Sequence, residues 1–409
     1  MTLCYEIITI SDIIYCTIYI LFSRFFCINL LIVRTINNKT IIIMTDKLLK
    51  IAGEFVLEGT IKEITPLGQG FINDTFIIHT EGDAPNYILQ RKNKAIFPDV
   101  PAMMDNIDRV TAHIRAKVAA EGGDIRREVM TINHTHDGKF YHIDEEGEYW
   151  AVCEFIADTI AYDSANSEAL ARMGGMGIGK FQSQLADFTE PLAEVIKGFH
   201  NIKHRFIQWD EAIAEDAAGR VASLSEEISW IESRREEMLA FWAKVESGEI
   251  PMRVTHNDTK INNILFDKQG NVLCVIDLDT VMSAPALNDF GDAIRTYANT
   301  GAEDATDLST VSLSLPMFAA YADGYLSQQA TKLNQAELDH LAFSARYITF
   351  EQVLRFLMDY INGDTYYKIK SPLHNLERTH AQYALLQSIE AQYNEMCEVI
   401  KQTTAKYLA

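Results

Sequence analysis

The sequence predicts an α+β fold of two lobes, an antiparallel-sheet N-lobe followed by a mainly helical C-lobe. Three observations predict it: the chain is strand-rich at first, mainly helical afterwards, and one strand–turn–strand island interrupts the helical part. From Gly59 to Phe155, β-branched and apolar runs alternate with turn residues. Phe71–His79 and Tyr87–Lys92 flank the turn-like Glu81-Gly82-Asp83-Ala84-Pro85 and predict a hairpin. Pro101 then opens a helix in which Met104, Ile107, Val110 and Ile114 recur at helical spacing. Glu128–Asn133, Phe140–Ile143 and Tyr149–Phe155, separated by Asp137-Gly138 and an acidic turn at Gly147, predict a meander. Helices are expected at Glu168–Asp187, Asp210–Gly248, Asn334–Ile361 and Leu376–Tyr407, with the island from Arg253 to Asp279. The expected boundaries are an N-lobe over residues 44–158, with a hinge at 154–158, and a C-lobe over 159–409.

Composition narrows the function. Hydrophobic residues make up 48% of the chain, enough for a sizeable core. The formal net charge of -21 repels nucleic acid and anionic lipid, so neither is an expected partner, and any bound nucleotide needs local cations beside its phosphates. The 6 cysteines contain no C-x-x-C pair, which excludes a disulfide framework or zinc set and suits a cytoplasmic protein. Residues 1–43 differ from the rest: Ile13–Val33 is almost wholly apolar but carries Arg24 near its middle. The segment is expected to be a non-domain extension or a misplaced start, with Met44-Thr45-Asp46-Lys47 opening the polar chain; an anchor and a signal peptide are the other readings.

The island carries the chemistry. His256-Asn257-Asp258-Thr259-Lys260-Ile261-Asn262-Asn263 precedes an apolar strand, a turn with Gly270, and the returning strand Val272–Ile276 that ends in Asp277. Such a hairpin brings Asp258, able to take a proton from an attacking hydroxyl, beside two oxygen ligands, Asn263 and Asp277. Mg²⁺ prefers hard oxygen ligands and completes its shell with phosphates. The pattern H-x-D-x-K-x-x-N with a following apolar strand and Asp is similar to the catalytic loop and metal-binding Asp of protein kinases, and Lys260 falls where those enzymes neutralise the transferring phosphate. Upstream, Leu67-Gly68-Gln69-Gly70-Phe71-Ile72-Asn73 between two expected strands suits a loop whose amides approach phosphates. Gly174–Lys180 imitates a P-loop, but Phe181 stands where the hydroxyl is required; its small residues suit close helix packing instead.

On Gly70–Thr75, Leu89-Gln90-Arg91-Lys92-Asn93, Gly198-Phe199-His200, His256–Asn263, Ile276–Thr280 and Asp289–Arg295, the chain resembles the aminoglycoside phosphotransferase and choline kinase superfamily over roughly Phe55 to Glu395. Within it, the N-acetylhexosamine 1-kinases are the nearest likeness. The resemblance implies a protein-kinase-like fold that transfers phosphate from ATP, with Mg²⁺, to the anomeric hydroxyl of GlcNAc or GalNAc. Another hydroxyl acceptor (an amino alcohol, homoserine or an aminoglycoside) and a non-catalytic nucleotide-binding protein are the rivals. By the same resemblance, Asp258 accepts the hydroxyl proton, Lys260 assists, His256 braces the loop, and Asn263 and Asp277 hold the metal. Asp279 is a further candidate for the metal or its surroundings, and Asp289 for fixing the loop. Gly68, Gly70 and Asn73 cover the phosphates, and the Glu154–Ile156 hinge meets adenine. The strand position of the kinase lysine matches Gln90 with Arg91 adjacent; alternation lets only one of the two face the phosphates. His200, Arg295, Tyr297 and Arg346 are expected on the acceptor side.

Overall fold

The computed structural model describes residues 46–68 and 72–409, so the apolar stretch Ile13–Val33 and Gly70 lie outside the described residues. The N-lobe is built on a sheet of β1 (Ile61–Pro66), β2 (Asp74–Thr80), β3 (Tyr87–Lys92), β4 (Ile132–Asn133), β5 (His142–Ile143) and β6 (Tyr149–Glu154). Strand order is β1-β2-β3-β6-β4, with β5 also on β6, and every pairing is antiparallel. Alternation fixes which side chains meet the core: Leu89 and Tyr87 on β3, Ile78 and Phe76 on β2, and Trp150 and Val152 on β6 form one buried cluster.

Helix α1 (Val100–Ala120) starts where Asp99 accepts the Ala102 N–H at 3.0 Å and a proline occupies the first turn. Its buried face (Met103, Met104, Ile107, Val110, Ile114) packs with Ala151 of the sheet and with Leu278, Val281 and Met282 of the C-lobe. The lobes therefore share a core. The expected strand at Glu128–Asn133 shrinks to β4, and within it Arg115 takes the Met130 carbonyl, at 3.1 Å, that a ladder would have used.

In the C-lobe, α2 (Glu168–Gln184), α3 (Ile202–Glu215), α4 (Ser225–Glu232) and α5 (Arg235–Glu246) precede β7 (Met252–Thr255), β8 (Ile264–Phe266), β9 (Val272–Val275) and β10 (Met282–Pro285). Then come α6 (Ala286–Tyr297), α7 (Leu315–Gln329), α8 (Gln335–Ile361), α9 (His374–Ala391) and α10 (Tyr393–Leu408). The long helix expected at Asp210–Gly248 is broken: Asp216 adopts φ 41° and its side chain accepts the N–H groups of Arg220 and Val221, which turns the chain. The Leu376–Tyr407 stretch divides into α9 and α10. The P-loop imitation lies inside α2, where Gly175 and Gly179 pack on the α7 backbone; a Cβ on Gly175 would sit 2.2 Å from the Tyr321 carbonyl oxygen. No helix among the described residues is long and apolar enough to cross a membrane.

Candidate active site

The island folds as two pairings. β8 and β9 form the expected hairpin, while β7 pairs with β10. The segment between β7 and β8 is the His256–Asn263 loop, and it is held from behind by two aspartates one turn apart on α6. Asp289 accepts the N–H groups of His256 and Asn257 at 2.9 and 2.7 Å, and Asp292 accepts that of Thr259 at 2.9 Å. Burying backbone N–H groups requires such partners. His256 ties the loop to the other side of the site: Nε2 donates to the Ile276 carbonyl at 2.8 Å and Nδ1 accepts the Asp258 N–H at 3.3 Å. Thr280 Oγ1 donates to the His256 carbonyl at 2.6 Å. The loop and the segment after β9 are thus one cross-linked unit.

Asp258 emerges from this unit with its carboxylate directed by two neighbours. Lys260 Nζ lies 2.9 Å from Oδ1, and Asn263 Nδ2 donates to Oδ2 at 3.2 Å and to the Asp258 carbonyl at 2.9 Å. Burial would lower the Lys260 pKa, but Asp258 and Asp292 more than offset it, so the ammonium stays charged. Because the Asn263 amide nitrogen is committed to Asp258, its Oδ1 is left as an acceptor. Asp277 has φ 59°, a left-handed conformation that aspartate tolerates better than most residues. Burial, with Asp279 and Asp258 nearby, pushes its carboxyl up to about 6. Crowded anionic oxygens with an amide oxygen beside them suit a divalent cation that draws its remaining ligands from phosphate and water. Among the described residues no group of three or more His, Cys, Asp and Glu side chains forms a metal cage by itself.

Between the lobes lies a cleft of about 390 Å³. One end is apolar, with Ile88, Ile132 and Leu265, and is edged by the Glu154–Ile156 backbone; the other end is polar, with Lys92, Asn263, Asp277 and Asp279. Such a division suits a flat base joined to a charged tail. Gln90 faces the cleft, but Arg91 does not. It lies on the outer face, ion-paired with Asp74 directly across the β2–β3 ladder. The cation that alternation places with Gln90 is Lys92, two residues on, buried, and 2.7 Å from Gln90 Oε1. Glu154 lines the cleft through its backbone, its carboxylate being paired with Arg126 at 3.0 Å, and Ile156 is buried at the same edge. Gly68 has φ 66°, a left-handed conformation that favours glycine, and Asn73 is buried and donates to Asp279 at 2.6 Å.

The sequence pattern of the phosphotransferase enzyme family (APH) matches residues 63–326, from β1 through most of α7. The chain belongs to that family. Solved structures agree on the fold of this phosphotransferase. An aminoglycoside phosphotransferase from Alicyclobacillus acidocaldarius superposes with a TM-score of 0.52 at 13% identity, covering 85% of this chain and 96% of its own. A microcompartment-associated aminopropanol kinase gives 0.56 at 16% identity, covering 82% and 93%. The Plasmodium vivax ethanolamine kinase gives 0.51 at 12% identity, covering 78% and 82%. A spectinomycin phosphotransferase that superposes with a TM-score of 0.50 was solved with ADP. The fold is kinase-like, an antiparallel-sheet N-lobe on a helical C-lobe, and the family is one of phosphotransferases.

Two of the four residues expected on the acceptor side of the phosphotransferase lie close behind Asp258. Arg295 binds Asp292 at 3.0 Å and Glu303 at 2.7 Å. His200, with φ 54°, binds Glu351 through Nδ1 at 2.5 Å. The Arg295 Nε and the His200 Nε2 are buried without a partner among the described residues. The other two are elsewhere. Tyr297 is 3% exposed and fills the space over Gly174, where a Cβ would meet its ring at 2.2 Å. Arg346 joins α8 to α5 and α9 through Glu237 and Glu390, at 2.5 and 2.9 Å. Tyr297 is core and Arg346 is a helix tie. Half-buried Arg355, which the sequence did not single out, lies among Phe199, Tyr366 and Tyr367 at 5.5 to 5.9 Å and hydrogen-bonds only Gln352, at 3.3 Å, among the described residues. It sits in the middle of a predicted helix, and nothing in its spacing marks it.

Proposed function

We propose that this phosphotransferase uses Mg-ATP to phosphorylate the anomeric hydroxyl of an N-acetylhexosamine, GlcNAc or GalNAc, giving the sugar 1-phosphate. The observation that carries the choice of acceptor is the pair of buried, unpartnered nitrogens at Arg295 and His200 beside the Asp258 loop. Buried polar atoms need partners, and a neutral polyol supplies hydroxyls to both kinds. The nearby carboxylates Asp292, Glu303 and Glu351 are each already held by an arginine or histidine, which leaves a cationic amine poorly matched here. Substrate contacts are assigned to His200, Arg295 and Arg355.

In this reading the cleft's apolar end takes adenine along Glu154–Ile156, while Lys92, Gly68 and Asn73 attend the phosphates. Asn263 and Asp277 would hold Mg²⁺, which supplies charge neutralisation on the phosphates when bound. The acceptor oxygen forms its bond to the γ-phosphorus as the bond to the β–γ bridging oxygen breaks, and ADP departs with that electron pair. The hydroxyl proton passes to Asp258, whose orientation Asn263 and Lys260 maintain. Positioning and electrostatics carry the rate, more than basicity. The setting assumed is the cytoplasm.

The test is ADP release from Mg-ATP across a panel of hydroxyl compounds, with the product identified. The expected result is turnover with GlcNAc or GalNAc and a product that has lost its reducing end, because C1 is blocked. Turnover confined to amino alcohols, homoserine or aminoglycosides removes the sugar reading and leaves the kinase.

A further inference from the structure

In protein kinases the lysine that meets the donor phosphates is held by a glutamate from the helix beside the sheet. The corresponding helix here, α1, offers Lys92 no carboxylate. Its Asp105 pairs with Arg109, its Asp108 lies near His134, and its buried polar residue Asn106 donates to the carbonyls of Ala193 and Val281. Lys92 is held instead by Asp279, at 2.7 Å from Oδ1 and 3.0 Å from Oδ2. Both side chains are buried, at 4% and 8% exposure. Asn73, just past the glycine-rich turn, donates to Asp279 Oδ2 at 2.6 Å, and its own Oδ1 accepts the Asn93 N–H at 3.1 Å. Strand β3, Asn73 ahead of β2 and the segment after Asp277 therefore converge on one carboxylate.

Asp277 is different in kind. Two residues away, its carboxylate makes no hydrogen bond or ion pair to another described residue, whereas both oxygens of Asp279 are engaged. A cation drawing on Asp279 would have to break a buried ion pair, and a buried charge stripped of its partner is costly. We infer that Asp279 is a positioning residue, aiming Lys92 at the donor phosphates and tying Asn73, just ahead of β2, to the metal-holding segment, and that it is not a ligand of the cation. The lysine's carboxylate partner then belongs to the same rigid unit as Asp258 and Asp277, so no swing of α1 can uncouple it. The inference rests on the nucleotide reading of the cleft.

The experiment measures ADP affinity by calorimetry with and without Mg²⁺, and steady-state kinetics, in Asp279→Asn, Lys92→Met and the double variant. The factor by which Mg²⁺ tightens ADP binding should stay within about twofold of wild type in Asp279→Asn, since the cation's ligands are intact. kcat/KM for ATP should fall about 10- to 100-fold, the range for losing a partner that orients a functional side chain, while KM for the acceptor holds. Adding Asp279→Asn to Lys92→Met should cost clearly less than the same change costs in wild type, because the aspartate acts largely through the lysine. A tenfold or larger loss of the Mg²⁺ factor makes Asp279 a cation ligand and overturns the inference, as do additive losses in the double variant. If Asp279→Asn does not fold, Asn73→Ala replaces it, removing one tie without stranding a charge. It should lower kcat/KM for ATP with the Mg²⁺ factor unchanged, and an unchanged kcat/KM for ATP counts against the inference. Wild-type protein that binds no ADP would refute the nucleotide reading itself, and this inference with it.

Discussion

Glu351 shows how much a single buried side chain can organise. It receives His200 Nδ1 at 2.5 Å and Arg205 Nε at 3.0 Å, and it holds the strained His200 against the acceptor side. Burial alone would raise its pKa, but His200 and Arg205 outweigh burial and hold it well below the usual carboxylate range. A depressed folded-state pKa means that the stabilisation is present above the ordinary glutamate value of 4.5 and is lost as pH falls below it. Glu351→Gln should therefore be less stable than wild type near neutral pH, with the gap narrowing as pH drops below that value in urea titrations. A gap independent of pH would contradict the assignment. At this scale the sequence was most legible where a local hairpin brings side chains together, as with Asp258, Asn263 and Asp277. It was least legible where a partner lies far along the chain. Lys92 and Asp279 are 187 residues apart, and no local pattern links them.

Among the elements, the strand pair carrying Gly270 and helix α8 were readable because their signals are local. A glycine with φ 82° reverses the hairpin, and Asn334 with Glu337 forms a capping box at the start of α8. Helix α6, with both loop-holding aspartates, was not expected: Leu287, Phe290, Ile294 and Tyr297 do recur at helical spacing, but Asn288, Asp289, Asp292 and Arg295 are buried too, which no pattern of polar residues announces. The break at Asp216 was missed because the periodicity resumes after it in α4 and α5. The small-residue contact of α2 with α7 tests the rejection of a P-loop. A Cβ on Gly324 would stand 1.9 Å from the Arg172 carbonyl oxygen, a backbone atom that can yield only if the helices separate. Gly324→Ala should lose about 1 to 3 kcal/mol of stability, the usual cost of overpacking, with nucleotide affinity little changed. A neutral effect in chemical denaturation would show that the helices are not in tight contact.

For the molecule as a whole, the two lobes matter because each brings half of a site that neither holds alone. The N-lobe supplies Lys92 and Asn73, the C-lobe supplies Asp258, Asn263 and Asp277, and the shared core of α1 with Leu278 and Val281 keeps them in register. The overall charge of -21 makes the basic side chains at the site the more telling, since Lys92, Lys260, Arg295 and Arg355 are placed against the general field. The two-lobed fold was visible in the order of sheet, helices and inserted hairpin; the buried polar group of His200, Arg205 and Glu351 was not, because its members come from α3, α8 and the segment before α3. The most direct measurement compares acceptor-dependent ADP release by wild-type protein and Asp258→Ala, with ADP binding measured alongside. A positioned proton acceptor predicts turnover lower by about two to four orders of magnitude, with ADP affinity within a few-fold of wild type. Turnover that survives the substitution nearly intact would contradict the account.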